Sequence, residues 1–402
     1  MRTPLALRIA LLILLTSVGE VHSQGAWSTA SSTGFTPRRD LGACVVDGKI
    51  YCIGGIGDAG YLNTLEVFDP TTNSWDTPVT TGTCTKREDL TACAVAGKIY
   101  AIGGFDGTTV LNTVEMYDPS TRTWSTPITT GTFTARKDLT SCVVNDKIYV
   151  IGGWSGSEYL NTLEVFDPAT NAWSTPETTG SFTPCYGLTC SSLAGKIYVM
   201  GGWNNIEYLN TLFVFDPSTN VWSTPATTDT MTPRVGLSSC VLQGKIWAIA
   251  GHDKNGVMST AEVFDPATAT WNTPATTGSV TARHGLTTNV VGDKIYVIGG
   301  SNATSYIAAN DVFTPAPLDV NTDNASRDIE ISPNPTRGIV TVRVAEGVER
   351  VSMMNAIGLS VVNTESSGVT SIKLDLSKFP EGTYFARIVT TNASVMRTIE
   401  KQ

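Results

Sequence analysis

The chain has 402 residues, 41% of them hydrophobic and 16% charged, enough for one large core and a second small one. With 36 acidic against 27 basic side chains its formal net charge is −9. That balance argues against nucleic acid and anionic lipid as partners.

Residues 1–23 read as an export signal. Arg2 and Arg8 provide a positive start, residues 9–15 form an apolar run, and Val21-His22-Ser23 offers small residues for cleavage before Gln24. The apolar run is too short to cross a bilayer, so no transmembrane segment is expected in the mature chain.

From Trp27 onward one unit recurs. A glycine pair appears at 54–55, 103–104, 152–153 and 201–202, as Ala250-Gly251, and at 299–300, always 49 residues on. Before each pair stands a Lys-Ile-Tyr or Lys-Ile-Trp run; after it comes an alternating run ending in Asp-Pro, then a Trp at 75, 124, 173, 222 and 271. In the first copy the apolar runs cover 41–46, 49–55, 63–68 and 73–77, here named a to d. Short runs rich in β-branched and aromatic residues, punctuated by Asp-Gly, Ala-Gly and Asp-Pro, read as antiparallel strands. Four strands per unit describe a propeller blade. The last copy ends at Phe313 without strand d, and Val320 stands where its Trp would fall. Trp27-Ser28-Thr29 matches Trp124-Ser125-Thr126, so the N-terminus is expected to close the ring of six blades.

These features together resemble the kelch-repeat propeller over residues 24–315, with Ala250 and Ser301-Asn302 as departures. The resemblance implies the architecture and leaves function open, because kelch propellers include protein-binding platforms, sugar-acid isomerases and copper oxidases.

Among eight cysteines, Cys44, Cys93, Cys142 and Cys240 share one repeat position, a small, partly apolar slot on the innermost strand. Of the others, Cys185 with Cys190 is the first candidate for a disulfide. No Cys/His spacing suggests a metal, and no cofactor is expected.

Residues 316–328 read as a linker rich in Pro, Asn, Asp and Thr. Residues 329–402 form a compact β segment marked by Ser332-Pro333-Asn334-Pro335, Asn355-Ala356-Ile357-Gly358, Leu374-Asp375-Leu376-Ser377, Gly382-Thr383-Tyr384 and a basic end with Arg397 and Lys401. In this order they resemble the C-terminal sorting domain of the type IX (Por) secretion system of Bacteroidota. The resemblance implies a small β-sandwich-like domain that engages that machinery, with delivery to the cell surface or beyond.

In each blade the b–c and d–a connections share one end, which holds the variable loops and is the candidate binding face. An Arg opens strand a at 38, 87, 136, 234 and 283, and strand c carries Glu66, Glu115, Glu164, Glu262 and Asp311. The fourth copy has Cys185 and Phe213 instead. Joint loss is what intrablade ion pairs predict, since a dry Arg without its carboxylate is costly; an Arg ring binding an acidic ligand is the alternative. The residue after each glycine pair varies through Ile56, Phe105, Trp154, Trp203, His252 and Ser301, and the residue after each Arg varies through Arg39, Glu88, Lys137, Tyr186, Val235 and His284. Phe105, Trp154, Tyr186, Trp203, Asn204, His252 and His284 are the candidate ligand residues, with aromatic faces suited to sugar rings and protein side chains alike. The loop tryptophans packing beneath their own loops is the structural alternative.

Only His252 and His284 remain for acid–base work after the signal is removed, beside Asp253 and Arg283, and no catalytic residue is assigned. The expectation is an exported binding or adhesion module for a glycan or protein. The alternatives are an enzyme resembling the kelch sialic-acid mutarotases and a structural surface component.

Overall fold

The computed structural model describes residues 25–316, 329–355, 360–390 and 394–402. The export signal at 1–23, all but the first residue of the linker, and residues 356–358 of the C-terminal turn lie outside the described residues. Two compact units divide at 316/317, and all regular structure in the described residues is β.

The first unit is a propeller of six four-stranded antiparallel blades. Blade one is built from strands a to d at Gly42–Val46, Lys49–Ile53, Leu65–Asp69 and Ser74–Asp76, and blades two to five repeat it. In blade six, strands a to c are Thr287–Val291, Lys294–Ile298 and Asn310–Pro315, and strand d is the N-terminal Gly25–Ala30, with Trp27 opposite Phe313. The first strand of the unit therefore completes its last blade and covers the edge of Asn310–Pro315 that would otherwise be bare.

Alternation explains why these segments become strands that stack. Strand a of blade one buries every second residue, and strand b is buried after its opening Lys in most blades. The core lies between blades. Ile148, Val150, Phe166 and Trp173 of blade three pack on Cys93, Tyr100, Ile102 and Val114 of blade two. Each strand-d Trp sits across from a strand-c aromatic, as Trp173 from Phe166 at a 5.0 Å ring separation. Full burial of one such aromatic contributes about 1.5–3 kcal/mol, and that gain exists only when two blades meet.

The glycine pairs lie at the blade junctions, both with positive φ in blade one (64° and 91°). A Cβ at Gly103 would stand 2.7 Å from the Arg136 carbonyl of the next blade, and one at Gly104 would stand 2.6 Å from the Glu88 carbonyl of its own. The first glycine clears the neighbour and the second clears the bridge between strands a and b.

All eight cysteines are free and buried. The Cys185–Cys190 disulfide is not formed, because the two side chains serve different layers: Cys185 Sγ faces the Gly201 carbonyl at 4.0 Å inside its blade, whereas Thr140 of the preceding blade donates to Cys190 Sγ at 3.4 Å.

The second unit is a separate all-β domain, as expected from the sequence, built as one curled five-stranded sheet. Two long strands, Ile339–Asn355 and Ser360–Asp375, pair along their length through irregularities that bend them. Ile329–Ser332 borders the first half of the former and Gly382–Val389 the second half, so one sheet folds over a core of Val342, Val351, Met353, Ile372, Leu374 and Ile388. Asn334 ties down the chain end: its Nδ2 donates to the Thr398 carbonyl at 2.8 Å, and the Glu400 amide donates back to its Oδ1 at 2.8 Å. Leu374 and Leu376 point into the core while Asp375 accepts the Ser377 amide. These contacts are the physical content of the two sequence landmarks.

Candidate functional site

The five strand-a arginines are fully buried and paired within their blades: Arg38 with Glu66 (2.6 Å), Arg87 with Glu115, Arg136 with Glu164, Arg234 with Glu262 and Arg283 with Asp311. In blade three, Arg136 Nε donates to the Thr134 carbonyl (3.2 Å), Nη1 to the Gly152 carbonyl (2.9 Å) and Nη2 to Thr162 Oγ1 (2.9 Å). Glu164 also accepts from the amide (3.1 Å) and hydroxyl (2.9 Å) of Thr134. Burial lowers the guanidinium pKa in several copies, to about 10 for Arg234. In blade four, Phe213 fills the carboxylate position and meets Phe182 edge-on at 6.2 Å. These arginines are turned into the blades, away from the mouth.

The two variable positions of each repeat are bonded to one another. Arg39 pairs with Ile56, Glu88 with Phe105, Lys137 with Trp154, Tyr186 with Trp203, Val235 with His252 and His284 with Ser301, each through reciprocal backbone hydrogen bonds of 2.9–3.2 Å. The strands end here because the glycine pair turns strand b outward, and the bridge fastens the returning loop to the entry of strand a. A third position joins in every copy: Tyr61, Val110, Tyr159, Tyr208, Val257 and Tyr306 lie opposite the residue that follows the glycine pair. Sequence reasoning misses the four tyrosines of this set, although the position they occupy recurs every 49 residues.

The result is a nearly continuous aromatic and charged rim. Tyr61 meets Phe105 edge-on at 5.9 Å, and Lys137 Nζ lies 5.2 Å from the Phe105 ring centre and 5.8 Å from that of Trp154. Tyr159 stacks on Tyr186 at 5.6 Å, Trp203 leans on Tyr208 at 4.7 Å, and His252 follows at 5.7 Å. Phe105, Trp154, Tyr186 and Trp203 are half-buried, neither free nor sealed in the core. Asn204 uses its Oδ1 to accept the amides of Ile206 (3.0 Å) and Glu207 (2.8 Å), which shapes its loop and leaves Ile206 82% exposed at the tip.

Two cavities open on this rim. One of about 250 Å³ is lined by Lys137, Asp138, Trp154, Tyr159 and Tyr186. The other, about 480 Å³, includes Arg39, His252, His284, Ser301 and Tyr306. There Arg39 Nη1 donates to His284 Nε2 at 3.3 Å, Tyr208 Oη is 3.3 Å from His252 Nδ1, and His284 Nδ1 is buried without a partner. Burial, with help from Arg39 and His252, lowers the His284 pKa to about 4, so it is neutral at physiological pH.

Inside the rim the next residues form a closed backbone circuit. The amides of Asp40, Asp89, Asp138, Gly187, Gly236 and Gly285 each donate to the carbonyl of the corresponding residue in the preceding blade, at 2.8–3.0 Å. Burial first, and then the neighbouring Asp89, push the Asp40 and Asp138 carboxyls well above the usual range.

Comparison with known families agrees with this architecture. Residues 22–153 and 130–300 match the family described as the KLHDC2/KLHL20/DRC7 Kelch-repeats domain, and residues 330–402 match the Secretion system C-terminal sorting domain. The first matches span more than half of the chain, and the protein belongs to the kelch-repeat family. Its C-terminal domain marks it for export through the type IX secretion system to the cell surface or extracellular space. A 41-residue stretch is 51% identical to an F-box/kelch-repeat protein of Arabidopsis thaliana, covering 10% of this chain and 11% of that relative. That likeness has the length of roughly one repeat and concerns the fold unit alone.

Proposed function

We propose that this protein is an exported binding module that holds a glycan or a protein segment across the mouth of its propeller. The observation carrying this reading is the bonding of the two variable positions in every blade, which gathers the chain's sequence diversity onto one rim. The pocket between blades three and four combines flat faces from Trp154, Tyr159 and Tyr186 with the charges of Lys137 and Asp138, a mixture suited to sugars and to amphipathic side chains. Individual contacts would be weak, and display of many copies at a surface would add avidity.

The test is a glycan array and surface-attachment assay on the secreted chain. Trp154→Ala and Trp203→Ala are expected to reduce binding while leaving secretion and melting nearly intact. Trp124→Ala, at a position only 8% exposed, is expected to destabilise the fold by about 3–5 kcal/mol. Binding that survives loss of both rim tryptophans, or a Trp154→Ala variant as unstable as Trp124→Ala, refutes the reading.

A second reading, catalysis on sugar acids, rests on the larger cavity, where Arg39 suits a carboxylate and neutral His284 keeps an unpartnered ring nitrogen. Turnover of sialic acid that is lost in His284→Asn would favour it; absence of turnover would leave the binding module.

A further inference from the structure

The mouth carries charge that the repeat itself does not demand. All six residues of the backbone circuit have φ between 52° and 63°. Glycine adopts that conformation freely, and it stands there in blades four to six. Blades one to three instead carry Asp40, Asp89 and Asp138, aspartate being one of the few residues with a side chain that accept this bend.

Glu88 joins them from the adjoining position. It is 8% exposed, and its Oε2 is buried with no hydrogen-bond partner. One oxygen from each of Asp40, Glu88 and Asp89 lies within 4.8 Å of the others. Two cations stand beside the group: Arg39 Nε is 3.1 Å from Asp40 Oδ2, and Lys137 Nζ is 3.0 Å from Asp89 Oδ2 and 3.8 Å from Asp138 Oδ2. Four carboxyl groups thus crowd around two cations.

We propose that Asp40, Glu88 and Asp89 bind one hard divalent cation, calcium by their chemistry, at the junction of blades one and two. All three offer oxygen, the donor calcium prefers, and opposite ligands on a calcium ion are ~4.8 Å apart. The ion gives the orphaned Glu88 oxygen a partner and offsets the repulsion among the crowded carboxyls. Arg39 and Lys137 then steady the carboxylates they already touch. A central cavity of about 190 Å³, lined by Asp40, Asp89, Asp138 and the start of strand a in every blade, leaves room for water at the remaining positions, because calcium takes about 6–8 oxygens. No sequence motif announces such a site, since its ligands come from two different repeats.

Calorimetry and thermal melting of the full exported chain with calcium chloride test the proposal. The expected result is one ion per chain with Kd on the order of 10⁻⁴–10⁻³ M, the range of extracellular modules, and a Tm that rises with calcium. Asp89→Gly copies the residue of blades four to six, so the backbone is preserved while a ligand is lost; Glu88→Gln removes the orphaned charge. Each is expected to weaken calcium binding by roughly tenfold or more, and Glu177→Gln, which removes an exposed carboxylate elsewhere on the propeller, is expected to leave it unchanged. Absence of saturable calcium binding, binding undiminished in both carboxylate variants, or an equal response to sodium chloride of matched ionic strength overturns the site.

Discussion

Blade four contains an experiment that the other blades can repeat. Its Cys185 and Phe213 occupy the positions held elsewhere by the buried arginine and its acid, so Arg136→Cys with Glu164→Phe transplants the apolar solution into blade three. Phe133 is already in place there, its ring 5.5 Å from the Arg136 guanidinium. Alone, Arg136→Cys removes the donors to Thr134, Gly152, Thr162 and Glu164 and leaves a carboxylate whose side chain is only 5% exposed. Alone, Glu164→Phe strands a guanidinium that is fully buried. Each single change should cost about 3–5 kcal/mol. With ~2.1 cal/mol/K of unfolding entropy per residue, that is a fall in Tm of about 5–8 °C. The double variant has no stranded charge and should lie within about 2 kcal/mol of the parent, far below the sum of the singles. Urea unfolding followed by tryptophan fluorescence reads the propeller by itself, because all nine tryptophans lie before residue 317. Losses that simply add would show that the arginine and its acid do not act as a unit.

The closing strand and the neutral histidine give two further tests. Deleting residues 25–30 removes the partner of Asn310–Pro315 and should yield aggregates in size-exclusion chromatography through the bared edge; a monomer with unchanged melting contradicts closure by the N-terminus. His284 has its pKa lowered from 6.5 to about 4, so above pH 6.5 it is neutral in both folded and unfolded states. As pH falls from 6.5 towards 4 the unfolded chain takes up the proton first, and stability should decline across that window. Urea midpoints at pH 7 and pH 4.5 should converge in part for His284→Asn; an undiminished gap in that variant assigns the pH sensitivity to another group.

The propeller was legible because its determinants are local and repeated six times. The glycine pairs, strand-d tryptophans and Asp-Pro turns sit at fixed offsets, and displacement of Trp27 to the front of the chain revealed the closure. The Arg–acid pairing could be read because one copy had lost both members. Cys185 and Cys190 misled, since closeness in sequence says nothing about which layer a side chain enters. The rim was only half visible: two variable positions stood out, but their direct bonding and the tyrosines opposite them depend on how each b–c loop folds back. The acidic group at the mouth was missed although Asp40, Asp89 and Asp138 recur at the repeat period, because the period alone does not say that neighbouring blades bring these carboxyls within reach of Glu88. In the C-terminal unit the sequence indicated a small separate β domain, and its curl comes from the irregular pairing between two long strands.

The backbone circuit that links Asp40, Asp89, Asp138, Gly187, Gly236 and Gly285 works as a hoop. Because it uses only amides and carbonyls, any side chain compatible with its backbone bend can stand on it without loosening it. The rim residues are mounted one position away and inherit its spacing, so a substitution there changes what the mouth presents without changing where it is presented. A ligand of the proposed binding face would therefore meet a set of side chains whose separations were fixed before it arrived, with the ordering cost of assembling them met during folding rather than at the encounter. New specificities can then arise by single exchanges on the rim, with the hoop as the constant part.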